Sequence, residues 1–397
     1  MAFTDSIKNY FKETGSISRR RFKKFVLAAP FWILIISIGL IAAGLIRYNT
    51  IRNYTYDRKT AGIWAQDGTL DFRHVSVFSR GARESGSFSP SIYVDTNISL
   101  GRTDILDIRK SLQDIADSAL PGNKKTGLNE DGTPRGWEDC FSTFMDMTFT
   151  YSSDEVMQPV TVDTEVVAVE GNYRAFHPFT YMSGGFLPET CVDTDQIVIN
   201  DVLAWKLFSS YDVTGKVLEA YGRRFTIIGV VAERTDSLNR SVGSMKPRAY
   251  IYFRTLESIM LSPDKPEMLN ITTYEAMLPE LVKGVARADI INALPNYNAA
   301  DPKLYVVSNT DRYSVLSVWD FMMPLGETQT MLDGYEFPYW ERAAQLVTMH
   351  LYVDIILVSL GGALLLIGVV TSVLRWKKIE IEPVKEEVEE ASDTVSS

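Results

Sequence analysis

Two long apolar segments constrain this chain more than any other feature of its sequence. Residues 25–46 form a run of 22 without a charged side chain, and residues 351–374 form a run of 24 whose only charge is Asp354. Each exceeds the ~20 residues that a helix needs to cross the hydrocarbon core of a bilayer. We favour an uncleaved anchor over a cleaved signal peptide for the first segment, because the apolar region of a signal peptide is shorter and precedes a small-residue cleavage site. The sequence therefore predicts two transmembrane helices.

The charges beside these segments predict their orientation. Residues 1–24 carry seven basic and two acidic side chains, and Arg375, Lys377 and Lys378 follow the second segment at once. Because basic residues are retained on the cytoplasmic side, we expect a two-pass protein of the cell membrane with both termini cytoplasmic. The predicted segments are a basic amphipathic cytoplasmic segment (1–24), transmembrane helix 1 (25–46), an extracytoplasmic domain (47–350), transmembrane helix 2 (351–374) and an acidic cytoplasmic tail (375–397).

The composition agrees with a large domain between two spans. Of the 397 residues, 46% are hydrophobic and 23% are charged, which excludes both a disordered chain and a bundle made mostly of membrane helices. The net charge is −10, and residues 47–350 alone carry −11. We therefore expect the lipid bilayer as a partner and no nucleic acid. Whether segment 1–24 lies on the membrane surface or only sets the topology is left open by its sequence.

Helix and strand patterns alternate between the two spans. Apolar residues recur at spacings of three and four over 103–120 and 313–323, which predicts helices, and a further helical approach runs from 338 into the second span. This mixture predicts an α+β extracytoplasmic domain, for which we expect two lobes, between two transmembrane α-helices. Strands are predicted at 75–78, 91–94, 162–169, 196–200, 216–221, 225–231, 248–253, 271–277 and 304–307.

The chain has only two cysteines, Cys140 and Cys191, and both fall in the predicted extracytoplasmic domain. Disulfides form and persist outside the cytoplasm, so these two residues can form one. Two separate thiols are the alternative, and the sequence alone does not decide between them.

No sequence motif points to catalysis. The only histidines are His74, His177 and His350. They lie far apart and in different predicted elements, so a zinc site is not expected. Ser183 lacks the glycine spacing of a nucleophile elbow, and the residues around Gly215 and Lys216 depart from a phosphate-binding loop at both ends. We therefore predict that the chain is not an enzyme and carries no cofactor or metal.

The spans themselves carry small residues at the spacing that favours helix association. Gly39 pairs in this pattern with Ala43, and Ser359 with Ala363. The alternative explanation is the ordinary composition of a membrane span. For Asp354, one turn inside the outer boundary, we favour contact with interfacial water over a hydrogen bond to a partner helix.

An ordered set of short motifs resembles a known family. The motifs lie at 166–169, 172–173, 184–186, 196–200, 203–208, 213–216, 225–231 and 248–257. Their order and spacing are similar to those of the MacB-like periplasmic core domain of MacB/FtsX-type ABC transporter permeases. The basic start, first span, large domain and returning span extend this resemblance from residue 1 to about 375. Family permeases have four spans, and because no apolar run of span length follows residue 374 we expect a member that lacks the last two transmembrane helices.

The resemblance implies an ABC transporter permease-like membrane subunit. Such a subunit would work with a separate ABC ATPase and a further permease chain in efflux or mechanotransmission, and a homodimer is one assembly it allows. The alternative is a membrane-anchored extracytoplasmic binding or scaffold protein without transport activity. A two-span sensor kinase is a third interpretation, but the 23 residues after Leu374 are too few for a signalling domain.

Overall fold

The computed structural model describes most of the chain between residues 29 and 395. The described residues are 29–54, 60–61, 71–80, 100–119, 127–128, 134–152, 158–190, 193–260, 269–280, 282, 284–295, 297, 304–323, 335 and 337–395. The basic segment 1–24 and the strand predicted at 91–94 lie outside them. Within them, two compact units are present: one comprises the residues up to Ile51 and from His350 onward, and the other comprises Arg52–Met349.

The elements confirm the predicted α+β class, and each strand that we predicted within the described residues is present. In chain order they are α1 (Ala29–Ile51), β1 (Asp71–Ser79), α2 (Arg102–Ala119), β2 (Gly127–Leu128), β3 (Pro134–Arg135), β4 (Glu138–Tyr151), β5 (Val160–Gly171), α3 (Tyr173–Phe176), β6 (Thr180–Gly184), β7 (Gln196–Asn200), α4 (Asp201–Phe208), β8 (Val217–Ala220), β9 (Arg223–Ala232), α5 (Ser237–Ser241), β10 (Arg248–Tyr252), α6 (Phe253–Met260), β11 (Thr273–Glu280), α7 (Val285–Ala293), β12 (Leu304–Ser308), α8 (Val315–Met322) and α9 (Tyr339–Val395).

Ten strands of the domain form one mixed sheet. Its order is β12-β1-β11-β4-β5-β10-β7-β9-β6, and β8 pairs with both β4 and β9. The pairs β5–β10 and β7–β9 are parallel, and the other pairs are antiparallel. Strands β4, β5, β10, β7, β9 and β8 therefore pair in a closed circuit.

We expected two lobes, whereas the described part of Arg52–Met349 forms one compact unit around this sheet. The physical reason is the length of β4 and β5, which pair over twelve residues. Strand β4 also pairs with β11, and β5 with β10, so these two long strands join the N-terminal and C-terminal parts of the sheet.

Apolar residues cover both faces of the central strands. Because successive side chains of a strand point to opposite faces, alternate residues belong to different clusters. The buried apolar side chains of the two faces form a larger and a smaller cluster. In β5, Val166 and Ala168 belong to the larger cluster, and Val167 and Val169 belong to the smaller one. The same alternation occurs in β7 and β10. Helix α2 covers the first face with Ile105, Ile108 and Leu112, which the helical spacing predicted.

The predicted hairpin of 216–221 and 225–231 has a tighter turn than we expected. Strands β8 and β9 are joined by Tyr221 and Gly222 alone, and both have positive φ angles, of 50° and 73°. A two-residue turn of this kind matches the right-handed twist of the strands that it connects. The residues expected in the turn, Arg223 and Arg224, therefore begin β9.

Among the described helices, two are long and apolar enough to cross a membrane: Ala29–Ile51 and the part Tyr339–Arg375 of α9. In the unit that contains the residues up to Ile51 and from His350 onward, α1 contacts α9 closely at glycines. A Cβ atom at Gly44 would lie 2.7 Å from Val358, and one at Gly361 would lie 2.8 Å from Ile41. Close backbone approach at small residues is typical of helix pairs in bilayers.

The glycines that make these contacts differ from the predicted pairs. Among the described residues, a Cβ atom at Gly39 would have no neighbouring atom within 4 Å, whereas one at Gly368 would contact Leu34. The interpretation of Asp354 also changes. Its buried carboxylate lies 3.0 Å from Arg47 Nε of the neighbouring helix as an ion pair, although neither carboxylate oxygen has hydrogen-bond geometry to a described partner. Arg47 lies one residue beyond the predicted end of the first span, where its long side chain can reach the carboxylate.

Candidate functional site

Helix α9 begins inside the core of the domain. Its first backbone bonds run from the amides of Glu341 and Arg342 to the carbonyl of Pro338. The side chains of Ala343, Ala344 and Val347 in the next turns are fully buried. Because the same helix contains a candidate membrane span, we take the contacts of its first turn as the candidate site. We call His177, Arg248, Arg312, Tyr339, Trp340 and Glu341 the helix dock.

One contact of the helix dock is a buried, two-bond ion pair. Arg312 Nη1 and Nη2 each donate to one carboxylate oxygen of Glu341 at 2.7 Å. Burial alone would lower the pKa of Arg312, but the adjacent Glu341 carboxylate outweighs it and raises the pKa above its ordinary value. A two-bond pair of this kind fixes direction as well as distance, so the first turn of α9 is held in one orientation.

Arg248 forms the second part of the helix dock, from the start of β10. Its side chain donates to Glu165 at 2.7 Å, to Glu233, and to the carbonyl of Gly243 at 3.1 Å. Its guanidinium carbon lies 4.1 Å from the ring centroid of Tyr339. A guanidinium can bond carboxylates in its plane and stack on an aromatic ring at the same time, which a lysine cannot do. Arg248 thus joins the sheet to the first residue of α9.

Burial raises the pKa of the Glu233 carboxyl, and Arg248 opposes part of that rise. Tyr250 donates its hydroxyl to the other oxygen of Glu233 at 2.8 Å. Burial also raises the pKa of Tyr250, so this hydroxyl stays protonated as a donor. Both oxygens of Glu233 therefore have partners, and the carboxylate holds Arg248 in position.

Trp340 completes the helix dock by ring contacts. Its ring centroid lies 4.7 Å from that of His177 and 5.8 Å from that of Phe78. His177 in turn lies 4.3 Å from Tyr173. Large buried rings supply much of the apolar contact in a core. These ring contacts therefore stabilise the start of α9 by burying apolar surface, whereas the ion pairs fix its orientation.

Beneath Trp340, two of the three histidines meet at one carboxylate. His74 Nε2 lies 2.9 Å from Glu275 Oε1, and His177 Nε2 contacts Glu275 Oε2. Ser76 donates to Glu275 at 2.9 Å and accepts from Asn309 at 2.7 Å. All five side chains belong to the interior of the domain, where polar groups require such partners. Within the described residues, no group of three or more His, Cys, Asp or Glu side chains is arranged to hold a metal ion.

A cavity of about 30 Å³ adjoins the helix dock. A volume of this size has room for water rather than for a substrate. It is lined by Tyr173, His177, Pro178, Phe179, Ala232, Glu233, Arg234, Tyr250, Tyr339 and Trp340.

Of the two predicted site residues, Cys140 lies within the described residues and Cys191 does not. Cys140 is buried in β4 and faces Glu275 across the β4–β11 pair. Cys191 lies outside the described residues, so the disulfide between them stays a prediction. Ser183 lies in strand β6 and donates to the carbonyl of Tyr211 at 2.8 Å.

The helix dock was not predicted from the sequence, although the sequence contains one signal of buried charge. Glu233, Arg248 and Glu275 each interrupt or border a run of apolar residues in a strand. A charged residue in such a run must find a partner of opposite charge or hydrogen-bond partners when the strand is buried. The sequence did not say which charges would meet.

Two solved structures are similar to part of this chain. The periplasmic region of MacB from Actinobacillus actinomycetemcomitans is 11% identical in sequence, with 59% of this chain and 88% of that chain covered and a TM-score of 0.37. For the extracellular domain of the noncanonic ABC-type transporter YknZ from Gram-positive bacteria, the identity is 12%, the coverage 59% and 99%, and the TM-score 0.36. No curated protein sequence matches significantly.

The family assignment rests on the sequence match rather than on these structural similarities. Residues 34–293 match the family described as "MacB-like periplasmic core domain". This range includes the motifs of 166–257 and covers more than half of the chain. The protein therefore belongs to the MacB-like periplasmic core domain family.

Proposed function

We propose that the protein is an ABC transporter permease-like membrane subunit in which the extracytoplasmic domain and α9 move together. The observation that carries this proposal is the helix dock. Helix α9 contains a candidate span, and its first turn is held to the domain by the Arg312–Glu341 pair and by Arg248. Packed side chains and ion pairs keep the first turn of α9 from sliding or rotating against the domain. A displacement of the domain can therefore pass to this helix and along its axis.

The proposed partners are a separate ABC ATPase, a further permease chain and the lipid bilayer, with a homodimer as one form of assembly. Family membership supports an ABC ATPase as a partner. We place the ATPase on a separate chain because the sequence around Gly215 and Lys216 departs from a phosphate-binding loop. Efflux or mechanotransmission is the proposed role. The alternative is a membrane-anchored binding or scaffold protein without transport activity.

Co-purification tests this function. We expect the full chain, extracted in mild detergent from its native membrane, to recover an ABC ATPase and a second permease-like chain at near-stoichiometric amounts. An unrelated two-span protein carrying the same tag is the control for nonspecific capture. Recovery of neither chain, although the tagged protein is intact, would contradict the proposal and favour the scaffold alternative.

We further propose that both termini lie in the cytoplasm, with spans near 25–46 and 351–374, the domain of 47–350 outside, and the segments 1–24 and 375–397 inside. The basic residues beside each apolar segment support this orientation. A cysteine introduced by Glu390→Cys should resist a membrane-impermeant thiol reagent in intact cells and react after lysis. Labelling of residue 390 in intact cells would contradict the orientation.

A further inference from the structure

Helix α8 carries apolar side chains on its exposed side as well as on its buried side, next to the exposed Asp320. Val318 is fully buried against the domain, while Val315 is 55% exposed, Leu316 75% and Trp319 39%. Met323, directly after the helix, is 50% exposed. At 100° per residue, these four exposed side chains project within one sector of roughly 100°. The helix therefore carries a continuous apolar stripe that faces away from the domain.

The composition of α8 shows what kind of partner the stripe fits. The only charged residue of the helix is Asp320, and it contains no lysine or arginine. An exposed apolar stripe on a helix is stable when a protein partner covers it or when it contacts lipid. The absence of basic residues from this helix means that its attraction to a surface would come from apolar area and from Trp319 rather than from charge.

The position of α8 in the domain supports lipid as that partner. Arg312, three residues before Val315, forms the buried ion pair with Glu341 in the first turn of α9. The same helix contains a candidate membrane span, and its apolar run begins at residue 351, ten residues after Glu341. The start of α8 is thus tied to the start of the helix that contains this span. Tryptophan is enriched at the level of the lipid headgroups, where an apolar ring with one polar N–H is favoured.

We propose that α8 is an interfacial helix that inserts Val315, Leu316, Trp319 and Met323 into the outer surface of the bilayer. The ligand class is zwitterionic phospholipid, bound by apolar contact. A second copy of the chain fits less well, because four side chains offer only about half of the ~800 Å² per partner that a stable interface buries. The inference goes beyond the proposed transport function, since it requires membrane insertion but no ATPase.

The test measures whether the stripe contacts lipid in the full chain. Leu316→Cys is labelled with a nitroxide in a chain that carries Cys140→Ser and Cys191→Ser, and the protein is reconstituted in phosphatidylcholine nanodiscs. Collision with oxygen, which partitions into lipid, is compared with collision with a water-soluble nickel chelate. Trp205→Cys is the matched control, because Trp205 is a similarly exposed residue (55%) on α4 of the same domain. Val315→Cys supplies a second position on the stripe.

We expect the oxygen-to-nickel ratio to be several-fold higher at positions 315 and 316 than at position 205. The ratio should stay the same when phosphatidylglycerol is added to the nanodiscs, because the stripe lacks basic residues. Nickel access at 315 and 316 equal to that at 205 would overturn the proposal. Low access to both reagents, with dipolar coupling between labels on two chains, would overturn it in favour of a second copy. Circular dichroism of each labelled chain checks that it is folded.

Discussion

Replacing Arg248 by methionine should lower the free energy of unfolding by about 3–5 kcal/mol, because it leaves buried carboxylates without their cation. The guanidinium bonds Glu165 and Glu233 and stacks on Tyr339, so one substitution removes contacts to the sheet and to α9 together. Chemical denaturation of the full chain in detergent, followed by circular dichroism, measures the loss.

The loss should also depend on pH. Burial already raises the pKa of Glu233, and removal of Arg248 takes away the charge that opposes this rise. The folded protein then binds a proton that the unfolded chain releases, so the free energy of unfolding falls as pH rises through the folded pKa of Glu233. The deficit of Arg248→Met should therefore be smaller at about pH 5 than at about pH 8.

Two controls separate this effect from a general loss of packing. Adding Glu233→Gln to Arg248→Met should remove most of the pH dependence, because the titrating carboxyl is gone. Arg224→Met, at a 74% exposed position with a long 3.6 Å pair to Glu219, should change stability by less than about 0.5 kcal/mol. A deficit in Arg248→Met that is the same at both pH values would contradict the assignment to Glu233.

The second large effect concerns Glu341. Glu341→Ala leaves Arg312 buried without a counter-charge, and we expect a loss of about 3–5 kcal/mol. Because the pair orients the first turn of α9, this turn should also become more accessible to protease than it is in the wild type. The denaturation midpoint and the rate of limited proteolysis near residue 341 measure the two consequences.

The matched control replaces both partners. Arg312→Met with Glu341→Met removes the uncompensated charge and keeps apolar volume, so it should recover most of the stability. If the double variant were as unstable as Glu341→Ala, the loss would come from altered packing of α9 rather than from an unpaired cation.

Elements with a strong local pattern could be predicted from the sequence. The helical spacing of Ile105, Ile108 and Leu112 identified α2, and the apolar run before Asn200 identified β7 with the observed bounds. The motifs at 166–257 led to the family because they are local and ordered. In each case, the information lies within one turn of helix or one strand, so no knowledge of distant contacts was needed.

Elements stabilised by distant partners were missed. Strand β4 begins with Glu138 and Asp139, which argue against a buried strand until Arg109 of α2 is found 2.7 Å from Asp139. The predicted end of β11 at Met277 was three residues early: β4 pairs with β11 as far as Met277, and β1 pairs with it as far as Glu280. Pro279 is tolerated because, among the described strands, only β1 pairs with β11 at this position.

The helix dock could not be predicted for the same reason. Arg312 and Glu341 are 29 residues apart, and Arg248 and Tyr339 come from a strand and a helix with no shared local pattern. Their meeting depends on the order of strands in the sheet, which single-sequence periodicity does not contain.

Hydrogen exchange of the first turns of α9 tests most directly whether this helix is held by the domain. In the full chain in nanodiscs, we expect the amides of residues 342–348 to be protected as strongly as those of β4 and β5, and Glu341→Ala to reduce their protection selectively. Exchange of these amides as fast as that of a fraying helix end, in the wild-type chain with a protected sheet, would contradict the account.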